Sequence, residues 1–471
     1  ETFFNRRPEA VNLYTAAVRQ CPKTAASAKL WYRAGQRQNS SGSAAAALAS
    51  FQLIQDHASR TTLVDDAVRW QARIHRQAGH HKKADALLNT VIALGGDMGE
   101  YASWDLLWHH YQAKRWAKAA EVAEVAMAAG RRPSRVYNQG RLGYWLGRAQ
   151  SNLGAKGRKR AIVAWADVVQ KHPLTWYGWL ARLRLEAVAP KVAAAAWSDA
   201  QKQRPVDELL VANAALLGDR HLQAGIELMR LGLTTSAAQE LAAVPFKELG
   251  RQHTGEPLML QALLYHAVGQ SNRGTALAMQ DGRYDDFWPA GTNLERWRLS
   301  YPRPTAFSAD VDEAAKASGV DPSFVWAIMR SESRFNPRIQ SPVLATGLLQ
   351  LMLPTGQKMA SQLGLNDTVS HETLKQPALN IRLGVGYMKL LRGRLGGHYA
   401  LVASGYNAGP HNTQKWLKRQ RAWDLDEFVE AIPFRENRRY VKGVLTSALR
   451  YGVIYADGHG PDLPLRLPSV R

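Results

Sequence analysis

The sequence predicts a mainly all-α chain, an α-superhelical solenoid followed by a compact α-rich domain. Three observations carry this expectation. Tryptophans recur at Trp31, Trp70, Trp108 and Trp145, separated by 39, 38 and 37 residues. Each is followed by a short polar or glycine-containing break and then an alanine-rich segment, as in SAAAALASFQLI, KADALLNTVIAL and AKAAEVAEVAM. Strand-like alternation is almost absent from the 471 residues. A helix pair of this length cannot bury its apolar face alone, so successive pairs must stack into a solenoid.

The elements follow in chain order. Ala84, Leu87, Leu88, Val91 and Ile92 stand at i, i+3, i+4, i+7 and i+8, one face of a helix. The Trp and Leu stripes therefore read as core, and small Ala side chains let paired helices approach closely. Helical pattern continues over about 207–282, as in VDELLVANAALLG and PLMLQALLYHAVGQ. Residues 281–305 are rich in Pro, Gly and aromatics and read as a linker that packs on its neighbours. A second compact helical unit begins near Phe307. Ser308 or Asp310 can cap the helix VDEAAKASG, which Gly319 ends. Asp321 caps PSFVWAIMRSES, with Pro322 at its first position. The tail, with Pro461, Pro464 and Pro468, reads as extended.

Composition bounds the function. An apolar content of 46% excludes disorder. The formal charge of +22 divides into +14 up to residue 302 and +8 beyond it. Such a balance calls for an anionic partner, whether nucleic acid, membrane surface or acidic glycan. Aromatics recur on repeat faces instead of clustering with basic residues, which argues against nucleic acid. The single cysteine, Cys21, rules out an internal disulfide. No apolar run reaches the length of a membrane span. The opening ETFFNRRPEAV is not a signal peptide, and a leader removed before a mature terminus is compatible with it. GVGYMKL (384–390) has no strand before it and is no dinucleotide loop. His80-His81 beside Lys82 and Lys83 reads as a solvated turn, and HETL at 371 lacks the second histidine of a zinc motif. No metal and no cofactor is expected.

One stretch, IMRSESRFNPRIQSPVLATGLLQLMLPTG at 328–356, points to chemistry. Glu332 lies four residues after Ile328 and three after Met329, so it shares their apolar helical face. Desolvation disfavours an ionised carboxylate, so its pKa should rise, as a general acid near neutral pH requires. A plain ion pair with Arg330 or Arg334 is the competing explanation. Asn336-Pro337 and Ser341-Pro342 force turns after the helix. Gly347 permits close backbone approach. Gln350 is an amide among Leu and Met, and a buried amide needs partners such as sugar hydroxyls or an acetamido group.

ESRFNPRIQSPVLATGLLQLMLPT resembles the signature of the soluble lytic transglycosylases. ASGYNAGPHNTQKWL (403–417) resembles their Tyr-Asn-Ala-Gly element, and EAIPFRENRRYVKGVL (430–445) their Ile-Pro-Phe, Glu, Tyr-Val element. GYWLGRAQSNLG followed by HPLTWYGWLARLRL resembles their superhelical N-terminal region. The resemblance implies an α-solenoid over 1–230, a helical linker domain over 231–302 and a lysozyme-like transglycosylase catalytic domain over 303–471.

It further implies cleavage of the β-1,4 bond between N-acetylmuramic acid and N-acetylglucosamine, leaving a 1,6-anhydromuramoyl end. Glu332 would be acid and then base. Ordinary glycosidases use two carboxylates, yet no Asp or Glu lies between Glu332 and Asp367. Ser341, Gln350 and Met352 would line the floor near the scissile bond. Tyr406 would hydrogen-bond at the catalytic end, and Asn407 would hold its loop. Glu436 would line the groove with Tyr440 behind it. Peptidoglycan glycan strands would be the anionic partner, and cell-wall synthesis or division proteins are candidate partners. A periplasmic monomer is implied. Leu344 and Leu349 stand where the family commonly has Gly and Met, Gly356 where Ala is usual and Asn437 where Thr is usual. Leu344 is expected to reshape the loop over the groove or narrow substrate choice. A hydrolytic muramidase of the goose-lysozyme type shares the glutamate and a related fold. A non-catalytic solenoid scaffold is the other reading.

Overall fold

The computed structural model describes residues 7–130, 138–202, 214–250, 257–280, 288–365, 368–419, 424–456, 458 and 460–468. The chain is all-α. Extended pairing among the described residues amounts to isolated bridges, two of them within 340–351. No described helix is long and apolar enough to cross a membrane. The chain divides into two compact units, residues 1–168 and 169–471.

The first unit is the solenoid that the tryptophan spacing predicts. It runs through α1 (Arg7–Gln20), α2 (Ala28–Ser40), α3 (Ala44–His57), α4 (Val64–Gln77), α5 (His81–Leu94), α6 (Gly96–Gln112), α7 (Trp116–Ala128) and α8 (Arg141–Gln150), and α9 (Gly154–Lys171) spans the division. Consecutive helices from α1 to α8 pack as neighbours. The four tryptophans occupy α2, α4, α6 and α8, the first helix of each pair. Trp31 and Trp145 are fully buried. Trp70 stacks on Phe51 of the preceding repeat at 6.0 Å, and Trp108 meets Trp145 edge-on at 5.0 Å. Ala84, Leu88 and Val91 are buried as their spacing requires. Fully buried Ala119 and Ala123 bring α7 close to its partners. His80 and His81 are exposed. His109 and His110, at the end of α6, are buried instead. Burial, and then the charge of Arg76, holds His109 down to about 4, so its ring is neutral.

The second unit begins with α10 (Trp176–Val188) and α11 (Pro190–Gln201). It continues through α12 (Ala214–Leu217), α13 (Arg220–Arg230), α14 (Thr234–Ala243), α15 (Phe246–Gly250), α16 (Leu258–Ala267) and α17 (Ser271–Ala278). Part of the segment read as VDELLVANAALLG lies outside the described residues. The segment read as a linker contains a helix, α18 (Thr292–Ser300), whose Trp297 is buried together with Tyr301 beyond it; residues 281–287 lie outside the described ones. Its aromatics supply enough apolar surface to fix a helix on its neighbours.

Eight helices follow among the described residues: α19 (Thr305–Ser318), α20 (Pro322–Glu332), α21 (Leu353–Gln362), α22 (Pro377–Arg394), α23 (Tyr399–Ala408), α24 (Pro410–Arg419), α25 (Leu425–Ala431) and α26 (Arg435–Tyr455). α19 starts at Thr305, earlier than the expected caps, so Ser308 and Asp310 lie inside it. Pro304 blocks further extension, and the Ser308 hydroxyl donates back to its carbonyl at 3.2 Å. Gly319 ends the helix at φ +62. Asp321 caps α20, accepting from the Ser323 amide at 2.7 Å.

α20 is apolar all round. Every residue from Ser323 to Met329 is buried, as expected of a helix at the centre of a domain. It lies along α26, which also packs on α23. Burial of Phe324, Trp326, Ile328 and Met329 contributes on the order of 2 kcal/mol each. α26 is pinned on another face by a buried cluster. The Lys442 ammonium pairs with Glu430 at 2.5 Å and donates to the Tyr177 hydroxyl at 2.8 Å. Arg184 of α10 bridges to Asp424 at 2.8 Å and Asp426 at 3.2 Å.

Candidate active site

The last residue of the central helix α20 is Glu332, so the rigid core of the unit delivers one carboxyl to its edge. Ile328 and Met329 are completely buried, as the shared face predicts. Neither arginine is its partner. Arg330 donates to the Ser300 carbonyl at 2.8 Å and lies 4.0 Å over the Tyr301 ring, and Arg334 is exposed. Among the described residues no cation pairs with Glu332. The Tyr440 hydroxyl of α26 donates to Glu332 Oε1 at 2.5 Å. Burial pushes the Glu332 carboxyl up to about 7, against the opposing hydrogen bond from Tyr440, and the nearby charge of Glu436 pushes the same way as burial. A substantial fraction of the carboxyl therefore remains protonated near neutral pH.

Backbone strain marks the same place. Five described non-glycine residues have left-handed φ: Lys114, Arg334, Phe335, Leu344 and Gln350. Four of them lie within nineteen residues of Glu332. Each such conformation costs of order 1–2 kcal/mol, and strain of this kind concentrates at functional sites. Arg334 and Phe335, at φ +50 and +67, reverse the chain directly after Glu332. Two contacts hold the reversal. The Ser333 hydroxyl accepts from the Phe335 amide at 3.1 Å, and the Phe335 ring is buried near Trp326.

The loop that follows is fastened at several points. The Ser341 hydroxyl accepts from the Ala345 amide at 3.0 Å. Leu344 sits at φ +66 and is 52% exposed. The backbone thus keeps the left-handed shape that a glycine adopts freely, and the loop turns despite the branched side chain. Gln350 donates through its amide to the carbonyls of Ile339 and Gly347 at 3.2 and 3.0 Å. Its donors therefore serve the loop, and its carbonyl oxygen is what it can offer a sugar. Met352 is 43% exposed at the head of α21, so it is not core. Leu349 is buried and fills the space over Gly384. The Tyr406 hydroxyl of α23 donates to the Leu349 carbonyl at 2.7 Å.

Tyr406 and Tyr440 are both held protonated by burial and, next, by the charge of Glu332. Asn407 is exposed, and its side-chain oxygen accepts from Asn437 at 2.9 Å. Asn437 is buried and also bonds the Ser404 hydroxyl and carbonyl, at 2.9 and 3.0 Å. The amide in place of the usual Thr thus ties α26 to α23. Gly356 leaves room for Leu374 and Val369, each 3.2 Å from where a Cβ would stand. Glu436 is exposed. Asp367, the next acid along the sequence, lies outside the described residues.

The structure brings Glu332 and Tyr440 into direct contact, a closer relation than a place behind Glu436. Tyr406, Ser341 and Gln350 instead engage the loop. Sequence reasoning missed Asn380, fully buried in α22. It accepts from the Leu349 amide at 2.8 Å and donates to the carbonyls of Thr346 and Leu374 at 3.0 and 2.8 Å. Its signal was an amide set among Leu and Ile just after Pro377.

The chain is similar to known proteins in sequence and fold. Residues 310–429 match the family model described as the transglycosylase SLT domain. The chain is 34% identical over 143 residues to a soluble lytic murein transglycosylase of Salmonella typhimurium, covering 30% of this chain and 22% of that one. It is 32% identical over 150 residues to an endo-type membrane-bound lytic murein transglycosylase A of Klebsiella pneumoniae, covering 28% of this chain and 74% of that one. The aligned part spans 22–26% of the length of the soluble curated relatives. The fold resembles that of an inactive Glu-to-Gln variant of the lytic transglycosylase Slt from Pseudomonas aeruginosa. That match has a TM-score of 0.64 at 22% identity, over 97% of this chain and 72% of that one.

Proposed function

Because the chain belongs to the lytic murein transglycosylase family, we propose that it cleaves the β-1,4 bond between N-acetylmuramic acid and N-acetylglucosamine in peptidoglycan without adding water. The observation that carries this reading is Glu332, a carboxyl with a pKa of about 7, a tyrosine donor and no cationic partner among the described residues. Protonated Glu332 gives its proton to the glycosidic oxygen as the bond to C1 breaks. The substrate's acetamido group assists at C1. The C6 hydroxyl oxygen then attacks C1 and its proton passes to the Glu332 carboxylate. The acid is restored, no water is consumed, and the muramoyl end becomes a 1,6-anhydro ring.

Glu436 is exposed and suits groove binding. Met352, Ser341 and the Gln350 carbonyl line the floor, Tyr406 and Asn407 the catalytic end, and Tyr440 steadies Glu332. The catalytic domain is 303–471, preceded by the solenoid over 1–230 and the helical linker domain over 231–302. The protein acts as a periplasmic monomer, with its +22 charge retaining strands that carry peptide carboxylates.

Digestion of purified sacculi followed by mass spectrometry of the muropeptides tests the reaction. Products two hydrogens and one oxygen lighter than hydrolysis products are expected. Free reducing ends would make the protein a hydrolytic muramidase, and intact sacculi would make it a binder.

The pH profile tests Tyr440. Its hydrogen bond stabilises the ionised form of Glu332, so Tyr440→Phe raises the carboxyl's pKa by roughly one unit. The alkaline limb of kcat/KM should move to higher pH by about that much, with a lower maximum. A limb that stays in place or moves to lower pH contradicts the role.

A further inference from the structure

Far from Glu332 in sequence, two solenoid helices bring together a second cluster of chemistry-bearing side chains. Asp85 of α5 and His109 and His110 of α6 each offer one ligand atom, and these atoms lie within 4.8 Å of one another. His109 Nε2 is 3.9 Å from Asp85 Oδ1. Both histidines are buried, 9% and 7% exposed. His109 Nε2 and His110 Nδ1 have no hydrogen-bond partner. Leaving two ring nitrogens buried and unpaired costs on the order of 1–3 kcal/mol each, and nothing in the transglycosylase reaction uses them. His81 stands four residues before Asp85 on the same face of α5, and its ring stacks on His109 at 5.1 Å. It is exposed.

We propose that Asp85, His109 and His110 form a divalent-metal site in the solenoid, with His81 or water as the fourth ligand. Two or three imidazoles and one carboxylate suit a borderline ion such as Zn²⁺. Magnesium and calcium would need more oxygens. Tetrahedral zinc with bonds of about 2.0–2.2 Å holds its ligand atoms roughly 3.3 Å apart. From separations of up to 4.8 Å the cluster must therefore contract by up to about 1.5 Å, a shift on the scale of a side-chain rotation. Asp85 retains partial exposure and gives the ion an entry.

Positive charge opposes the ion. Arg76 of α4 holds Asp85 Oδ1 at 3.3 Å, while Arg115 also acts on both histidines and Lys118 on His110. The guanidinium now occupies the role of counter-ion to Asp85. Metal binding must displace it, and Arg76 keeps the Asp105 carbonyl at 3.3 Å as a second partner. This competition sets the sign of one test.

Tag-free protein is titrated with Zn²⁺ against a chromophoric chelator at pH 7.5, and its melting temperature is measured with and without the ion. The wild type should bind one equivalent and melt higher with zinc. Asp85→Asn and His110→Gln should each weaken binding at least tenfold while circular dichroism shows retained helix. Arg76→Gln should tighten it several-fold. Stoichiometric binding that Asp85→Asn and His110→Gln leave unchanged overturns the site, as does a wild type that takes up no zinc. Arg76→Gln is informative even where the histidine variant misfolds. Weaker zinc binding in Arg76→Gln contradicts the competition on which the site depends.

Discussion

Glu332→Gln is expected to lower the rate of anhydromuropeptide release by about 10³-fold or more and, above pH 7, to raise the melting temperature. The rate loss follows from chemistry. One positioned acid or base contributes roughly 10²–10⁴-fold, and Glu332 would serve as both in a single cycle. An amide can neither protonate the leaving oxygen nor take the C6 proton. The stability gain follows from the same burial. In the unfolded chain the carboxyl ionises near its ordinary value of 4.5, whereas in the folded chain it does so near 7. Its folded pKa is raised, so stability is fully present below 4.5 and falls as pH rises, until the folded group also ionises near 7. At 1.36 kcal/mol per unit the loss approaches about 3 kcal/mol. Glutamine does not titrate and escapes it. Wild type and variant should thus melt alike near pH 4, diverge progressively from about pH 5, and differ by a constant amount above about pH 7. Anhydro products from the variant at the wild-type rate would sink the catalytic assignment. A variant no more stable at pH 8 would sink the account of the raised pKa.

The sequence made Glu332 legible because i−3 and i−4 neighbours are local, and Ile328 and Met329 fix its face without any knowledge of the fold. The tryptophan period was legible for the same reason, since each repeat reads itself. What stayed hidden depends on pairs distant in sequence. Tyr440 reaches Glu332 across 108 residues, and no local pattern encodes that hydrogen bond. The left-handed residues Arg334, Phe335 and Leu344 carry no glycine to announce them. Their strain is held by tertiary contacts, such as the burial of the Phe335 ring. α18 was hidden by composition, because Pro and Gly around a short helix outweigh its own periodicity. Asn437 illustrates the opposite case. It departs from the usual Thr, and the fold gives the larger amide its own partners in Ser404 and Asn407.

Gly347→Ala should cost about 3–5 kcal/mol of stability and most of the activity, with Glu332 untouched. Gly347 sits at φ +83, where any side chain is strained. An added Cβ would stand 2.3 Å from both Asn380 Nδ2 and the Leu374 carbonyl oxygen. Neither neighbour can yield cheaply. One is backbone, and the other is an amide locked by three hydrogen bonds in a fully buried position. Displacing it leaves donors and acceptors buried without partners, at about 1–3 kcal/mol each. The damage then reaches the site. Asn380 anchors the Leu349 amide, Tyr406 anchors the Leu349 carbonyl, and Gln350 closes onto the Gly347 carbonyl. Freed from Asn380, the floor of the site loses its shape. Gly364→Ala separates the two causes. That glycine has φ +64 but nothing within 4 Å of an added Cβ, so it carries the conformational strain alone, about 1–2 kcal/mol. Thermal unfolding and sacculus digestion of both variants decide the matter. Gly364→Ala should remain active and lose little. Equal losses in the two would mean that backbone strain alone, and not the close fit against Asn380, makes glycine necessary at Gly347.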